Sequence, residues 1–372
     1  MNGVDQIKKF AYIDALRGLA IAGVVIVHTF QYGNIPIPVY LEGIIGNGAR
    51  GVQLFYVVSA FTLMLSFSQR IGNEHSPVRN FFCRRFFRIA PMYYIGIVYY
   101  LWQDGLGPRY WLGDMEQISA FNILSNFTFT HGFNPYWITS VVPGGWSITV
   151  EMTFYIMLPF LAKRIKDTNK AFLFFYLAIL LQGILKVVLL KFPFIAFERL
   201  WKEYLYLYFP SQLPVFALGI MMFYIIREES SANRISGLML LPLPLLLMIQ
   251  LALGANIFFP SHVLFGMCFV LLGAALSRYP SVLLVNKVSI HLGKVSYSMY
   301  IAHFAILYWL SKTVFFQFFM KFGSAGLIPM ILFVFLMVAV VSTITYKAIE
   351  VPFQNLGKTL IARLENKSSY VV

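Results

Sequence analysis

The chain has 372 residues, of which 59% are hydrophobic and 12% charged. A soluble domain carries about 25% charged residues, so this composition excludes a soluble enzyme of ordinary make-up and describes a polytopic membrane protein. The formal net charge of +14 raises the question of nucleic acid, but the basic residues fall in alternate loops, where they set topology instead.

Windows of the length that crosses a bilayer, about 20 residues, fall near 11–31, 49–68, 89–104, 144–162, 171–190, 205–226, 235–254, 257–277, 295–314 and 326–348. The chain is therefore expected to be all-α with about ten transmembrane helices. Nineteen Lys and Arg fall in the segments that lie inside if the N-terminus is cytoplasmic, among them Lys8, Lys9, Arg79, Lys163, Arg234, Lys287, Lys358 and Arg363. Six, including Arg50 and Arg109, fall outside. That asymmetry puts both termini in the cytoplasm. The expected division is a cytoplasmic N-terminus (1–10), a transmembrane domain (11–350) and a cytoplasmic tail (351–372). Lys8 and Lys9 precede a first span too long for a signal sequence, with no small-residue cleavage site after it, so the span is expected to be kept. Cys83 and Cys268 have neither metal-ligand spacing nor the pattern of a disulfide framework.

The first span holds three titratable side chains, Asp14, Arg17 and His28, which are costly in lipid unless they have a task. Arg17 and His28 are eleven residues apart, which places them within about 20° of each other around a helix and about 16 Å apart along it. They share a face at different depths. Asp14 and Arg17, three residues apart, are placed to neutralise each other.

The loop after the second span reads Arg79-Asn-Phe-Phe-Cys-Arg-Arg-Phe-Phe-Arg-Ile-Ala-Pro91. Arg85 and Arg88 lie one helical turn apart with Arg84 beside them, a spacing that can clamp phosphate; setting topology and touching lipid head groups is the competing reading. The outer segment 105–143 is rich in Gly, Asn, Pro and aromatics, among them Trp111 and Trp137, and suits a lid, a re-entrant element or an interfacial belt. The fourth span opens Gly144-Gly-Trp-Ser-Ile-Thr-Val-Glu151, which brings Glu151 to a depth similar to that of His28. The two can serve as a base and its orienting partner, or as a polar contact between helices. The ninth span carries Ser296, Tyr297 and His303; His303 can line the same cavity. His75, His131, His262 and His291 receive no role.

These residues resemble the acyltransferase 3 family of integral membrane acyltransferases, over Tyr12 to Pro352. The motifs that carry the resemblance are Arg17 and His28 at their spacing; Arg85-x-x-Arg88-Ile-x-Pro91; Trp146-Ser147 with Glu151 and Phe154-Tyr155; Ser296-Tyr297 with His303; and Glu350-x-Pro352. Gln53 and Ala60 depart from it, standing where the family often shows an acidic residue and Gly. The resemblance implies an O-acyltransferase of the bacterial cytoplasmic membrane that moves an acyl group, most often acetyl, from acyl-CoA to a hydroxyl of an envelope carbohydrate. It implies His28 as the residue acting on the acceptor, Arg17 in the same motif, and Arg85 and Arg88 near the donor. From the reading of the residues themselves, Glu151 is added to the catalytic set, Arg84 to the donor site, and Trp146, Tyr297 and His303 to the lining of the cavity. No metal and no resident cofactor are expected; acyl-CoA is a substrate, and the partners are a glycan or lipid-linked saccharide and the bilayer, not nucleic acid. With no hydrolase-like domain after the tenth span, a stand-alone enzyme is expected. A transporter or flippase without chemistry, and a membrane sensor or scaffold, are the rival readings.

Overall fold

The computed structural model describes residues 10–107, 117–227, 241–254 and 259–368. Lys8, Lys9, Arg109, Trp111 and Arg234 lie outside the described residues. Among the described residues there is no strand. The helices are α1 (Ala11–Gly33), α2 (Val39–Gly46), α3 (Gly51–Arg70), α4 (Pro77–Asp104), α5 (Ala120–Phe127), α6 (Gly145–Arg164), α7 (Thr168–Lys191) and α8 (Glu198–Leu207). They continue as α9 (Phe209–Arg227), α10 (Pro242–Ala252), α11 (Ser261–Arg278), α12 (Lys287–Ser311), α13 (Val314–Met320), α14 (Leu327–Thr345) and α15 (Val351–Ser368).

Each of the ten apolar windows holds a helix, but not every one meets the length and apolarity that a crossing demands. Seven helical stretches qualify among the described residues, some of them joining two helices end to end; α12 with α13, bent by 83°, adds an eighth if the pair is one span. The segment Arg79–Pro91, read above as a loop after the second span, is the N-terminal half of the 28-residue α4. Its arginines dilute the apolar signal, so only the C-terminal half showed as a window.

The chain packs as two units, Met1–Phe61 with Leu218–Thr343, and Thr62–Ala217 with Ile344–Val372. The first is organised around α1 against α12, and glycine makes that approach possible. A Cβ on Gly18 would collide with the Ser289 carbonyl, and one on Gly293 with the Asp14 carbonyl. Small residues let membrane helices meet backbone to backbone, where dispersion and not hydrophobic transfer holds them. Asn286 caps α12, accepting from the backbone N–H groups of Val288 and Ser289.

In the second unit α15 lies on the first half of α4, with Gly357 against the Phe87 ring. Helix α7 buries only Ala171, Phe175, Ala178 and Gln182, a narrow stripe at helical spacing; its other faces are apolar and exposed, as a lipid-facing helix requires. Ile138, Trp201, Leu205, Leu207 and Tyr208 form a buried cluster.

Candidate functional site

In the first unit, the unbroken helix α1 carries Asp14, Arg17 and His28. Arg17 Nη1 lies 3.3 Å from Asp14 Oδ1, so the pair neutralises itself on one helix as the spacing predicts. His28 finds its partner on α12: His28 Nδ1 is 2.9 Å from His303 Nε2. The rings stack at 5.0 Å and 24°, and Phe304 packs against both, at 4.4 Å from His28 and 4.2 Å from His303. His303 is fully buried while His28 is half-buried, so the pair presents only His28 outward. His303 Nδ1 faces the carbonyls of Tyr300 and Met299 at 2.7 and 3.1 Å. Tyr297, on the same helix, is half-buried, and the Ser296 hydroxyl donates to the Gly293 carbonyl at 2.8 Å, the ordinary tie of a serine inside a membrane helix.

In the second unit, the three adjacent arginines of α4 divide. Arg84 donates through both terminal nitrogens to the Glu74 carboxylate, at 2.8 and 3.1 Å. That fork is matched by a carboxylate of its own unit. Arg85 lies over the rings of Phe81 and Tyr155, at 5.7 and 5.9 Å. The buried Tyr155 hydroxyl donates to Glu151 Oε1 at 2.7 Å, and the charges of Arg85 and Arg88 both act on that tyrosine. Guanidinium, phenol and carboxylate thus form a connected polar cluster. Trp146, five residues before Glu151, packs on the buried Trp201 and Tyr208 cluster.

The segment before α6 is ordered by buried polar groups. Tyr93 donates to Asn126 Oδ1 at 3.1 Å and meets His131 Nε2 at 3.2 Å, while the same nitrogen donates to the Gly145 carbonyl at 3.1 Å. Asn122 accepts from Asn126 and from Ser140. Burial pushes the His131 pKa down to about 4, so the ring is neutral and structural. Phe129, at φ 59°, takes the left-handed conformation that a phenylalanine rarely adopts, with its carbonyl held by the Thr149 hydroxyl at 2.6 Å. No group of three or more His, Cys, Asp or Glu able to hold a metal ion occurs among the described residues.

Reading the residues singly missed three partners. Tyr155 was within reach, because Glu151 and Tyr155 are spaced by four on one helix. Glu74 and His303 were not, since a turn separates Glu74 from Arg84 and 275 positions separate His28 from His303.

Comparison with known proteins adds the chemistry. The family described as "Acyltransferase domain" matches residues 10–347. A putative acetyltransferase, ORF330, of Acidianus two-tailed virus is 26% identical over 78% of this chain and 81% of its own. The O-acetyltransferase OatA of Staphylococcus aureus is 23% identical over 96% of this chain, which spans 59% of that longer protein. The peptidoglycan O-acetyltransferase OatA of Listeria monocytogenes is 26% identical over 40% of this chain and 23% of its own. No solved structure matches. With the match running from the start of α1 through α14, on an all-helical chain rich in membrane-length apolar helices, the chain belongs to the acyltransferase 3 family and is a multi-pass membrane acyltransferase.

Proposed function

We propose that this protein is an O-acetyltransferase of the bacterial cytoplasmic membrane that moves an acetyl group from cytoplasmic acetyl-CoA to a hydroxyl of a cell-envelope glycan. In this reading the chain crosses the bilayer ten times with both ends inside. The observation that carries it is His28 on the matched first helix, half-buried and held by a second imidazole in a family of acyl-transfer proteins. An imidazole can take the proton of a sugar hydroxyl as its oxygen attacks the thioester carbon. The carbon–sulfur bond then breaks, the acyl–oxygen ester is left, and the thiolate departs with the proton. Arg85 and Arg88 on α4 bind the phosphates of the donor, with Arg84 beside them committed to Glu74. Glu151 keeps Tyr155 and thereby the Arg85 face in place. Arg17, about 16 Å from His28 along α1, stabilises negative charge of the donor. Trp146 and Tyr297 each serve to line the cavity of their own unit, and acetyl-CoA is a substrate, not a resident cofactor.

The experiment is acetyl transfer from radiolabelled acetyl-CoA into alkali-labile ester in membrane vesicles of the producing cell, compared between the parent and His28→Ala. The reading predicts a fall of about a thousandfold with normal insertion. Parental ester formation by an inserted His28→Ala protein overturns it. Vesicles that move acetyl groups or glycan with no ester formed identify a transporter instead.

A further inference from the structure

The hydrogen bonds around the histidine pair have a direction as well as a length. His303 Nδ1 faces only carbonyl oxygens, those of Tyr300 at 2.7 Å and Met299 at 3.1 Å. A carbonyl only accepts, so this nitrogen carries a proton. The ring is fully buried against Phe304 and Tyr300, where a charged imidazolium pays heavily for its lost hydration; His303 is neutral. A neutral ring protonated at Nδ1 has a bare Nε2, and that nitrogen is the one 2.9 Å from His28 Nδ1. His28 Nδ1 is therefore the donor. A neutral ring protonated at Nδ1 leaves His28 Nε2 with its lone pair.

We infer that His303 is a positioning residue: it holds His28 in the Nδ1–H tautomer and so makes Nε2 the nitrogen that meets the acceptor hydroxyl. This rests on the reading of His28 as the base. It also fixes the route of the proton. Beyond His28 the chain of bonds ends at His303, whose second nitrogen is already protonated against the backbone of its own helix. A proton taken up at His28 Nε2 has no exit through the pair and leaves by the same nitrogen. The balanced step follows: the O–H and C–S bonds break, the C–O bond forms, the proton passes from oxygen to His28 Nε2 and then to the departing thiolate, and His28 returns to its starting state. Uptake and return of the proton thus occur at one nitrogen. The partner's role parallels the known cost of a wrong imidazole tautomer in acid–base enzymes, up to about 10⁴-fold.

The test uses full-length protein in membrane vesicles of the producing cell with radiolabelled acetyl-CoA, reading maximal rate and apparent KM for acetyl-CoA together. His303→Gln offers a side-chain oxygen to accept from His28 Nδ1, and is expected to keep the rate within about tenfold of the parent. His303→Leu offers no acceptor and is expected to lose at least about a hundredfold in maximal rate, with KM within about threefold. If His303→Leu does not insert, His303→Met takes its place under the same expectations. Equal rates for the Gln and the apolar variant, whether high or low, overturn the positioning role, because no acceptor is then required. His28→Gln is the control: a dead His28→Gln beside an active His303→Leu sinks this inference alone, and a fully active His28→Gln sinks the base reading with it.

Discussion

At the seam of α1 and α12 two neutral rings satisfy each other, whereas on α4 and α6 charges are met by charges, aromatic faces and a phenol. The histidine pair needs no counter-ion: His303 is sealed at the seam and His28 stays half-buried beside it. The arginine cluster cannot be neutralised by deprotonation, so each guanidinium must be matched where it stands. Arg84 is matched by Glu74, and Arg85 by the rings of Phe81 and Tyr155. On the proposed reading, a catalytic base and an anion site thus place different demands on the helices around them. The base requires one exact contact between two backbones, and the anion site tolerates several looser ones.

That contrast breaks first at glycine. In Gly293→Leu the new side chain meets the Asp14 backbone, which cannot swing aside, so α1 and α12 must part. The expected result is loss of folded protein, seen as the absence of a monodisperse peak after detergent extraction. Gly357→Leu meets Phe87, at 2.9 Å to its Cβ, a milder approach than a backbone carbonyl that a small shift of α15 relieves, and is expected to leave an extractable protein with a lowered unfolding midpoint. Equal damage from both would remove the distinction between the two seams.

The next effect separates His28 from a histidine that has only a structural task. His131 is buried in a network of Tyr93, Asn126 and the Gly145 carbonyl, and its pKa falls from about 6.5 to about 4. A lowered pKa means that the unfolded chain binds the proton more readily. Stability is then complete above about pH 6.5 and is lost as pH falls toward 4, by at most about 3 kcal/mol. His131→Asn is expected to be less stable at neutral pH and to show a flatter midpoint between pH 6.5 and 4 in a thermal melt followed by tryptophan fluorescence.

A smaller effect divides the arginines. Arg85→Ala with Arg88→Ala is expected to raise the apparent KM for acetyl-CoA at least about tenfold, the more so at low salt, where unscreened charge contributes most to the parent. Arg84→Gln is expected to change that KM less than about threefold and to lower stability instead, because Glu74 loses its two-pronged partner and keeps only Asn80 and the longer pairing with Arg70. If Arg84→Gln matches the double variant in KM, the Glu74 pairing does not set Arg84 apart.

Much of this was legible residue by residue. The periodicity of Arg17 and His28, the Asp14–Arg17 pair and the apolar windows are local, and local spacing on a helix translates directly into geometry. The helicity of Arg79–Pro91 was hidden because hydropathy measures affinity for lipid, not backbone conformation, and arginines are good helix formers. The partner of His28 was hidden for a different reason. Helix pairing between distant segments depends on where glycines let backbones touch, and Gly18 and Gly293 announce an approach without naming the partner. The tie between Glu151 and Tyr155, by contrast, is one that a spacing of four on a single helix offers directly.

The smallest effect concerns the helix end that presents the arginines. The N-terminus of α4 has Ser76 at its cap position without a side-chain cap bond. Its donors are met instead from α15: Glu365 accepts from the backbone N–H groups of His75 and Ser76 at 2.8 and 3.2 Å, from Asn80 Nδ2 at 2.8 Å and from Arg79 at 3.3 Å. A carboxylate at a helix N-terminus is favoured by the orphan donors and by the positive end of the dipole. Glu365→Gln keeps the shape, removes the charge and turns an amide donor toward other donors. The expected result is a fall of a few degrees in the unfolding midpoint with the KM for acetyl-CoA almost unchanged, because the cap lies more than a helical turn from Arg85. A midpoint equal to that of the parent would mean that α15 rests on α4 by packing at Gly357 and Phe87 alone, and a large rise in KM would mean that the charge of Glu365 reaches the donor site.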